Sequence, residues 1–452
     1  MSGIVERLTG LVSRSKNLIG LDIGYDSVKG VELYRDERGY QLAPYGIVPI
    51  SAGTDPAERR GATLAALKTL MREHKFSTRR VATAVSGENV IVRILRLPIF
   101  DASEESLEFA VRGEARDFIP FDMEDVVFDF QKLGELEHEN SRVAEVLIVA
   151  VRKDVIEERL SLLRDAGLEP VVIDVASFAL CNALSECGAI KAGEAVALVD
   201  IGGQTTSVAI LRDGVTRFTR DLSIGGRNIL DAITGELEVD RREAEGLTHK
   251  YGILLSAQTG ESRGPGAQAP SHDDYLLSGG HVLHEEKEKP GGSLYDESEA
   301  DFKSLYETPE PEPEIKLSQP APRDILSDIS RTIDQLTPEV DATALEYGPE
   351  GQRVAEICEH FIGEIIGEVK RSFLYYENQL GGEVISRIIL SGGLSKMRNI
   401  EKYFEHVLDV KCHRLEPLTR IRSEMSRQEA EALYPLLGVG IGLSLRSFFH
   451  KS

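Results

Sequence analysis

Two short apolar runs, each ending in an aspartate and a glycine, set the plan of the chain. From Ala195 the sequence runs apolar through Val199 into Asp200, then meets Gly202, Gly203, Gln204, Thr205 and Thr206. It returns through Val208 to Leu211 into Arg212-Asp213-Gly214. Two β-rich runs separated by glycines and hydroxyls predict an antiparallel hairpin, and the glycines let backbone N–H groups approach an anion closely. The plan recurs at Leu18 to Leu33: an apolar strand, Asp22, Ile23, Gly24, a polar tip with Asp26, Ser27 and Lys29, then Val31 to Leu33. Asp22 and Asp200 lie 178 residues apart with the surrounding pattern in step, which predicts duplication of a whole domain. A third piece, Arg387 to Ile400, reads as a buried strand, a Ser391-Gly392-Gly393 turn and a helix start. Any one of these alone is a plain turn or helix start. Two such hairpins half a chain apart, followed by strand, glycine pair and helix, predict a nucleotide cleft.

Between the hairpins the period alternates. A strand is expected near Tyr40 to Val48, a helix over Pro56 to Glu73 and a strand over Arg80 to Val85. The pattern then shifts to a strand over Asn89 to Leu97, a helix over Glu104 to Phe118 and strands over Asp125 to Leu133 and Ala144 to Val151. A helix over Asp154 to Asp165 and a buried strand over Pro170 to Val175 follow. Beyond the second hairpin, Ser223-Ile224-Gly225-Gly226 opens a helix and Asp240 to Tyr251 forms another. Ile357, Phe361, Ile365, Val369 and Phe373 recur at helical spacing up to about Gln379, and Leu433 to Arg446 closes the chain as a helix. Residues 1–17 carry Ile4, Val5, Leu8, Leu11 and Val12 at helical spacing, a short amphipathic helix expected to dock on its own body.

Composition narrows the function. A net charge of -23 over 452 residues argues against a nucleic-acid partner. Cys181, Cys187, Cys358 and Cys412 form no C-x-x-C pair or Cys/His cluster, so buried free thiols are expected rather than a disulfide framework or a zinc site. No apolar run reaches the length of a membrane span, and a cytoplasmic protein is expected. Residues 256–322 hold eight of the 18 prolines and 14 acidic against 5 basic side chains, which predicts a disordered acidic insertion.

The hairpin pair and the strand–Gly–Gly–helix piece resemble the actin, Hsp70 and hexokinase superfamily. Glu114 to Phe121 (EARDFIPF), Val126 to Gly134, Val149 to Ile156 and Asp174 to Leu180 (DVASFAL) further resemble the PilM family of type IV pilus assembly proteins, in the FtsA-like branch. The resemblance implies an α/β, duplicated actin-like (ribonuclease H-like) two-lobe fold with an inserted SHS2-type subdomain. The first lobe would be 18–88 with 167–193, the inserted subdomain 89–166, and the second lobe 194–255 with 323–452. It implies ATP bound across the lobes, with Asp22, Gly24, Ser27 and Lys29 facing Asp200, Gly202, Gly203, Thr205 and Thr206 across the phosphates. Gly392 and Gly393 would lie beside the adenosine and Glu245 toward the ribose, with Gly226 and Ser391 as further nucleotide-binding candidates. Two carboxylates aimed into one cleft repel unless a cation sits between them, so Asp22 and Asp200 are expected to hold Mg²⁺ through water.

Three positions depart from the family. Ala176 stands where relatives carry a glutamate, Tyr25 where they often carry Ser or Thr, and Thr248 where they carry a ribose-facing lysine that only Lys250 could replace. Slow or absent hydrolysis is therefore expected, with Asp174 the remaining carboxylate able to compensate. Arg371 and Ser372 are further candidates for ribose or base contact. The expected partner is the N-terminal cytoplasmic tail of PilN, bound near Val92, Ile94, Leu95 and Phe109, with PilN and PilO joining the protein to the membrane machinery. The expectation extends to the pilus motor ATPases and to a homo-oligomer or ring. The alternatives are an FtsA-like filament-forming ATPase and a small-molecule kinase of the same superfamily.

Overall fold

The computed structural model describes residues 17–51, 53, 55–99, 104–138, 141–188, 190–255, 347–379, 382–417 and 420–448. The amphipathic segment 1–17, apart from its last residue, and the acidic insertion 256–322 lie outside the described residues.

Each aspartate hairpin builds one sheet. In the first, β1 (Ile19–Ile23) pairs antiparallel with β2 (Ser27–Asp36), which pairs with β3 (Gly39–Pro49). On the other side of β1 lie β4 (Arg80–Val85) and then β8 (Glu169–Val175), both parallel. In the second sheet, β9 (Ala195–Ile201), β10 (Thr206–Arg212) and β11 (Val215–Leu222) form the antiparallel part. There β12 (Arg387–Ser391) and β13 (Lys411–Arg414) continue in parallel. The orders β3-β2-β1-β4-β8 and β11-β10-β9-β12-β13 are one design built twice, with β14 (Ile421–Arg422) added at the free edge of the first. The repeat holds at single hydrogen bonds: Gly24 N donates to Ser27 O at 3.1 Å, and its equivalent Gly202 N donates to Thr205 O at 2.9 Å.

Inserted after β4 is a separate antiparallel sheet, ordered β5 (Val90–Ile99), β7 (Ser141–Arg152), β6 (Val126–His138). Its own core joins Leu95, Leu97, Val111 and Ile148 beneath the helix α2 (Glu104–Ala115), which is numbered after α1 (Pro56–Glu73). Helix α3 (Lys153–Asp165) leads back to β8; its Ile156 packs with Val85 and Val175, and its Leu163 with Ile19 and Leu21. Sequence patterning runs α2 on to Phe118, but the helix stops at Ala115 and Phe118 is left exposed.

Two helices lie between the large sheets. On α4 (Ala176–Glu186), Leu180 and Leu184 share one core with Ala82 and Val172 of the first sheet and with Val196, Leu198 and Ile389 of the second. Beside it runs α9 (Arg427–Ser444), which starts six residues before the expected Leu433 because Ser426 caps it, its hydroxyl accepting from Glu429 N at 3.2 Å. The second lobe is completed by α5 (Gly226–Leu237), α6 (Arg241–Tyr251), the long α7 (Pro349–Gln379) and α8 (Ile400–Leu408). All four cysteines are buried free thiols.

Candidate functional site

The hairpin register decides what faces Asp22 and Asp200. Asp22 stands opposite Lys29, whose ammonium donates to Asp22 Oδ2 at 2.9 Å. Burial alone would lower the Lys29 pKa, but Asp22 first, with Asp200 and Asp26, more than reverses this and raises it. At the same step of the second hairpin Asp200 stands opposite Ser207, so a cation in one lobe is replaced by a hydroxyl in the other. Burial, and after it the charge of Asp22, pushes the Asp200 carboxyl up to about 6, against the pull of Ser391 and Lys29. The two aspartates therefore share one electrostatic environment, with Lys29 as their cation.

Such a pair suits a hydrated Mg²⁺, which takes one or two carboxylates and completes its shell from waters and phosphate oxygens. Among the described residues no group of three or more His, Cys, Asp or Glu side chains is placed to hold a metal unaided.

Ser391 of β12, Asp200, Ser207 and Asp221 of β11 are successive register partners across four strands and share one face of the sheet. Ser207 Oγ donates to Asp221 Oδ1 at 2.6 Å, and Gly87 N, from the turn between β4 and β5, donates to Asp221 Oδ2 at 2.6 Å. Asp221 thus joins the second lobe to the root of the inserted sheet. No motif marks Asp221 in the sequence, although the register that sets Ser207 beside Asp200 also leads to it.

Other expected residues serve the loops themselves. Thr206 is buried and its hydroxyl donates to Ile224 O at 2.8 Å, and Gly226 N donates to Gly202 O at 2.9 Å, so both brace the second tip from behind. Thr205, Gly202, Gly203, Gly24 and Ser27 are half-buried along the tips. Ser391 is buried. Gly392 has φ 85° and lies so close to β9 that a Cβ would stand 2.3 Å from Ile201 O, a place only glycine fills. Half-buried Gly393 opens a short 3₁₀ turn, Gly393–Lys396.

On the side expected to take adenosine, Glu245 is exposed on α6, Thr248 is buried with its hydroxyl donating to Ala244 O at 2.8 Å, and Lys250 turns its ammonium to the Tyr251 ring at 4.6 Å. Lys250 is therefore no substitute for the missing lysine. Lys396 is the cation that Glu245 feels: burial lowers its pKa and Glu245 opposes that. Burial, followed by Lys396, also lowers the pKa of His249. Arg371 pairs with Glu368 within α7, and buried Ser372 donates to Glu368 O at 2.9 Å, so both are engaged inside their own helix. Asp174 is committed too: Arg446 Nε donates to its Oδ2 at 2.6 Å in a buried ion pair, which leaves it poorly placed to orient a water.

Of the residues expected to line a peptide groove, Val92 and Leu95 are buried in the cores around the inserted sheet and Ile94 is partly buried. Phe109, on α2, is 83% exposed. No helix among the described residues is long and apolar enough to cross a membrane.

Residues 20–253 match the family model of the type IV pilus assembly protein PilM, and residues 197–432 match that of the cell division protein FtsA. Among solved structures, a chain of a PilM-PilN type IV pilus biogenesis complex is 22% identical, covers 97% of this chain and 100% of its own length, and superposes with a TM-score of 0.67. The ethanolamine utilization protein EutJ from Carboxydothermus hydrogenoformans is 13% identical over 96% of this chain and 92% of its own, with a TM-score of 0.42. MreB 5 of Spiroplasma citri bound to AMPPNP is 13% identical over 95% of each chain, also at 0.42.

Proposed function

Because the chain belongs to the PilM family of type IV pilus assembly proteins and has its actin-like fold, we propose that it is an adenine-nucleotide-binding docking protein of the pilus machine. In this reading it binds ATP with Mg²⁺ between the lobes and takes the N-terminal cytoplasmic tail of PilN, through which PilN and PilO hold it at the membrane face. What carries the nucleotide part is the convergence of Asp22, Lys29 and Asp200, brought from two hairpins 178 residues apart into one charged cluster. Bound Mg²⁺ would neutralise phosphate charge; Asp22 and Asp200 would hold it through its waters and Lys29 would meet a phosphate directly. Lys396, Glu245 and His249 are the side chains available to the nucleoside end.

Turnover is slow or absent in this reading. A water in line with the terminal phosphate needs a carboxylate or amide to orient it; Ala176 offers a methyl group, and Asp174 is paired with Arg446. The protein is cytoplasmic and reaches the membrane only through its partner, and the same complex extends to the pilus motor ATPases. Calorimetric titration of the full chain with MgATP and with MgADP is the test: saturable binding of either, lost in Asp200→Asn, supports the reading, and no heat from the wild-type protein with both nucleotides overturns it. Capture by an immobilised PilN tail peptide tests the docking role in the same way. The match of residues 197–432 to the FtsA model favours a second reading, an FtsA-like filament, which would pellet with MgATP in sedimentation.

A further inference from the structure

The offset that superposes the two hairpins carries Tyr25 onto Gly203, and in the folded chain these equivalent positions touch. A Cβ on Gly203 would stand 3.3 Å from the Tyr25 Cβ and 2.1 Å from Asp26 Oδ2. The two tips are in contact, with less than the width of a phosphoryl group between them.

Tyr25 is held in this place from both lobes. On its own side, the Arg59 guanidinium of α1 lies 3.6 Å from the ring centroid and donates to the Tyr25 carbonyl at 2.5 Å. Across the gap, Arg227 in the first turn of α5 donates to the Tyr25 hydroxyl at 2.7 Å. Arg227 is itself fixed, its backbone N donating to Gly203 O at 2.7 Å and its Nε to Asp231 at 2.9 Å. Beside it, Arg241 at the start of α6 reaches Asp26 at 3.4 Å. A guanidinium over a ring combined with a charge-assisted hydrogen bond is a favourable pairing, here closing the cleft with the chain's own side chains.

We propose that Tyr25 is the specificity-determining residue of the nucleotide site: with Tyr25 and Asp26 seated on Gly203 the closed cleft takes a nucleoside diphosphate, and a triphosphate enters only when Tyr25 parts from Arg227. The inference rests on the nucleotide reading above and adds which phosphate state the closed molecule holds. A diphosphate reaches Asp22, Lys29 and Asp200, which lie back from the tips on β1, β2 and β9. A terminal phosphate would have to lie between the tips, on ground that Tyr25 occupies and that the Asp26 carboxylate makes repulsive. Once Tyr25 leaves, Arg59 and Arg227 become cations facing that phosphate, so the open state exchanges ring and hydroxyl contacts for charge-assisted bonds to phosphate.

The test is titration of the full-length protein with MgADP and with MgAMPPNP, for wild type, Tyr25→Phe and Tyr25→Ser. The wild type is expected to bind MgADP at least about tenfold tighter than MgAMPPNP. Tyr25→Ser should bring the two within about threefold by tightening the triphosphate analogue alone. Tyr25→Phe keeps the ring but loses the bond to Arg227, so it should lie between them; where the serine variant does not fold, the phenylalanine variant decides, and an unchanged ratio overturns the proposal. Equal affinities in the wild type, or a serine variant that shifts both ligands alike, overturn it as well. A wild type that binds neither ligand overturns the nucleotide reading and this inference with it, whereas one that binds both equally overturns only this inference.

Discussion

Asp200 carries a pH signature that falls in the acid range. Its carboxyl titrates at about 6 in the fold against 3.8 ordinarily, so between these values the folded chain keeps a proton that the unfolded chain releases. Stability must then fall as pH rises from about 4 to about 6 and level off above, an unfavourable contribution of about 2–3 kcal/mol once Asp200 is charged. Asp200→Asn is expected to abolish that slope in urea unfolding measured at several pH values, and to unfold at higher urea than wild type above pH 6 in nucleotide-free buffer. A variant with the wild-type slope would place the titration elsewhere. Asp22, Lys29, Asp200 and the tip glycines were legible in the sequence because a hairpin's register follows from its own few residues. The grip of Arg59 and Arg227 on Tyr25 was not, since long side chains meeting across two lobes leave no spacing to read. Lys396 was hidden for the same reason: it comes within the field of Glu245 from another element.

At the scale of elements, the closing helix is shaped by glycines at every second position, Gly438, Gly440 and Gly442. A Cβ on Gly442 would stand 1.7 Å from Ala179 O of α4, and one on Gly20 of β1 would stand 1.9 Å from Gly440 O. These are backbone-to-backbone approaches that no rotamer can relieve. Gly442→Ala is expected to destabilise the protein by at least about 2 kcal/mol, read as a lower thermal midpoint, whereas Gly246→Ala on α6, where a Cβ meets nothing within 4 Å, should leave the midpoint unchanged or raise it. Strands and helices with a clear period were readable, including the repeated hairpin and the inserted sheet. The start of α9 was not. Its first turn, Arg427 to Ala432, is polar apart from its alanines and shows no apolar period, so the Ser426 cap alone marks it; Pro435 sits inside the helix, and its carbonyl accepts from Gly392 N at 3.0 Å across to the glycine turn.

Taken whole, the molecule ties its C-terminal end to its middle, because Arg446 and Asp174 are 272 residues apart and form a buried ion pair. Removing one partner strands a buried charge, so Arg446→Met should cost about 3–5 kcal/mol, and Asp174→Leu combined with it should recover most of the loss; an additive double variant would show the pair to be uncoupled. The inserted sheet poses the opposite case, a side chain whose removal should cost the fold nothing. Leu95 is buried beneath α2, while Phe109 on that helix is 83% exposed, and a large aromatic ring left in water gains free energy when a partner covers it. Leu95→Ala is expected to lower the thermal midpoint by about 2–4 kcal/mol of stability and to weaken peptide binding only as the fold loosens. Phe109→Ala should leave the midpoint within about 0.5 kcal/mol and weaken the PilN tail by about 1–2 kcal/mol, roughly tenfold in Kd. Fluorescence anisotropy of a labelled tail peptide reads the second effect and a melting curve the first. A Phe109→Ala protein with wild-type affinity would move the docking surface off α2, and one that melts early would make Phe109 a structural residue.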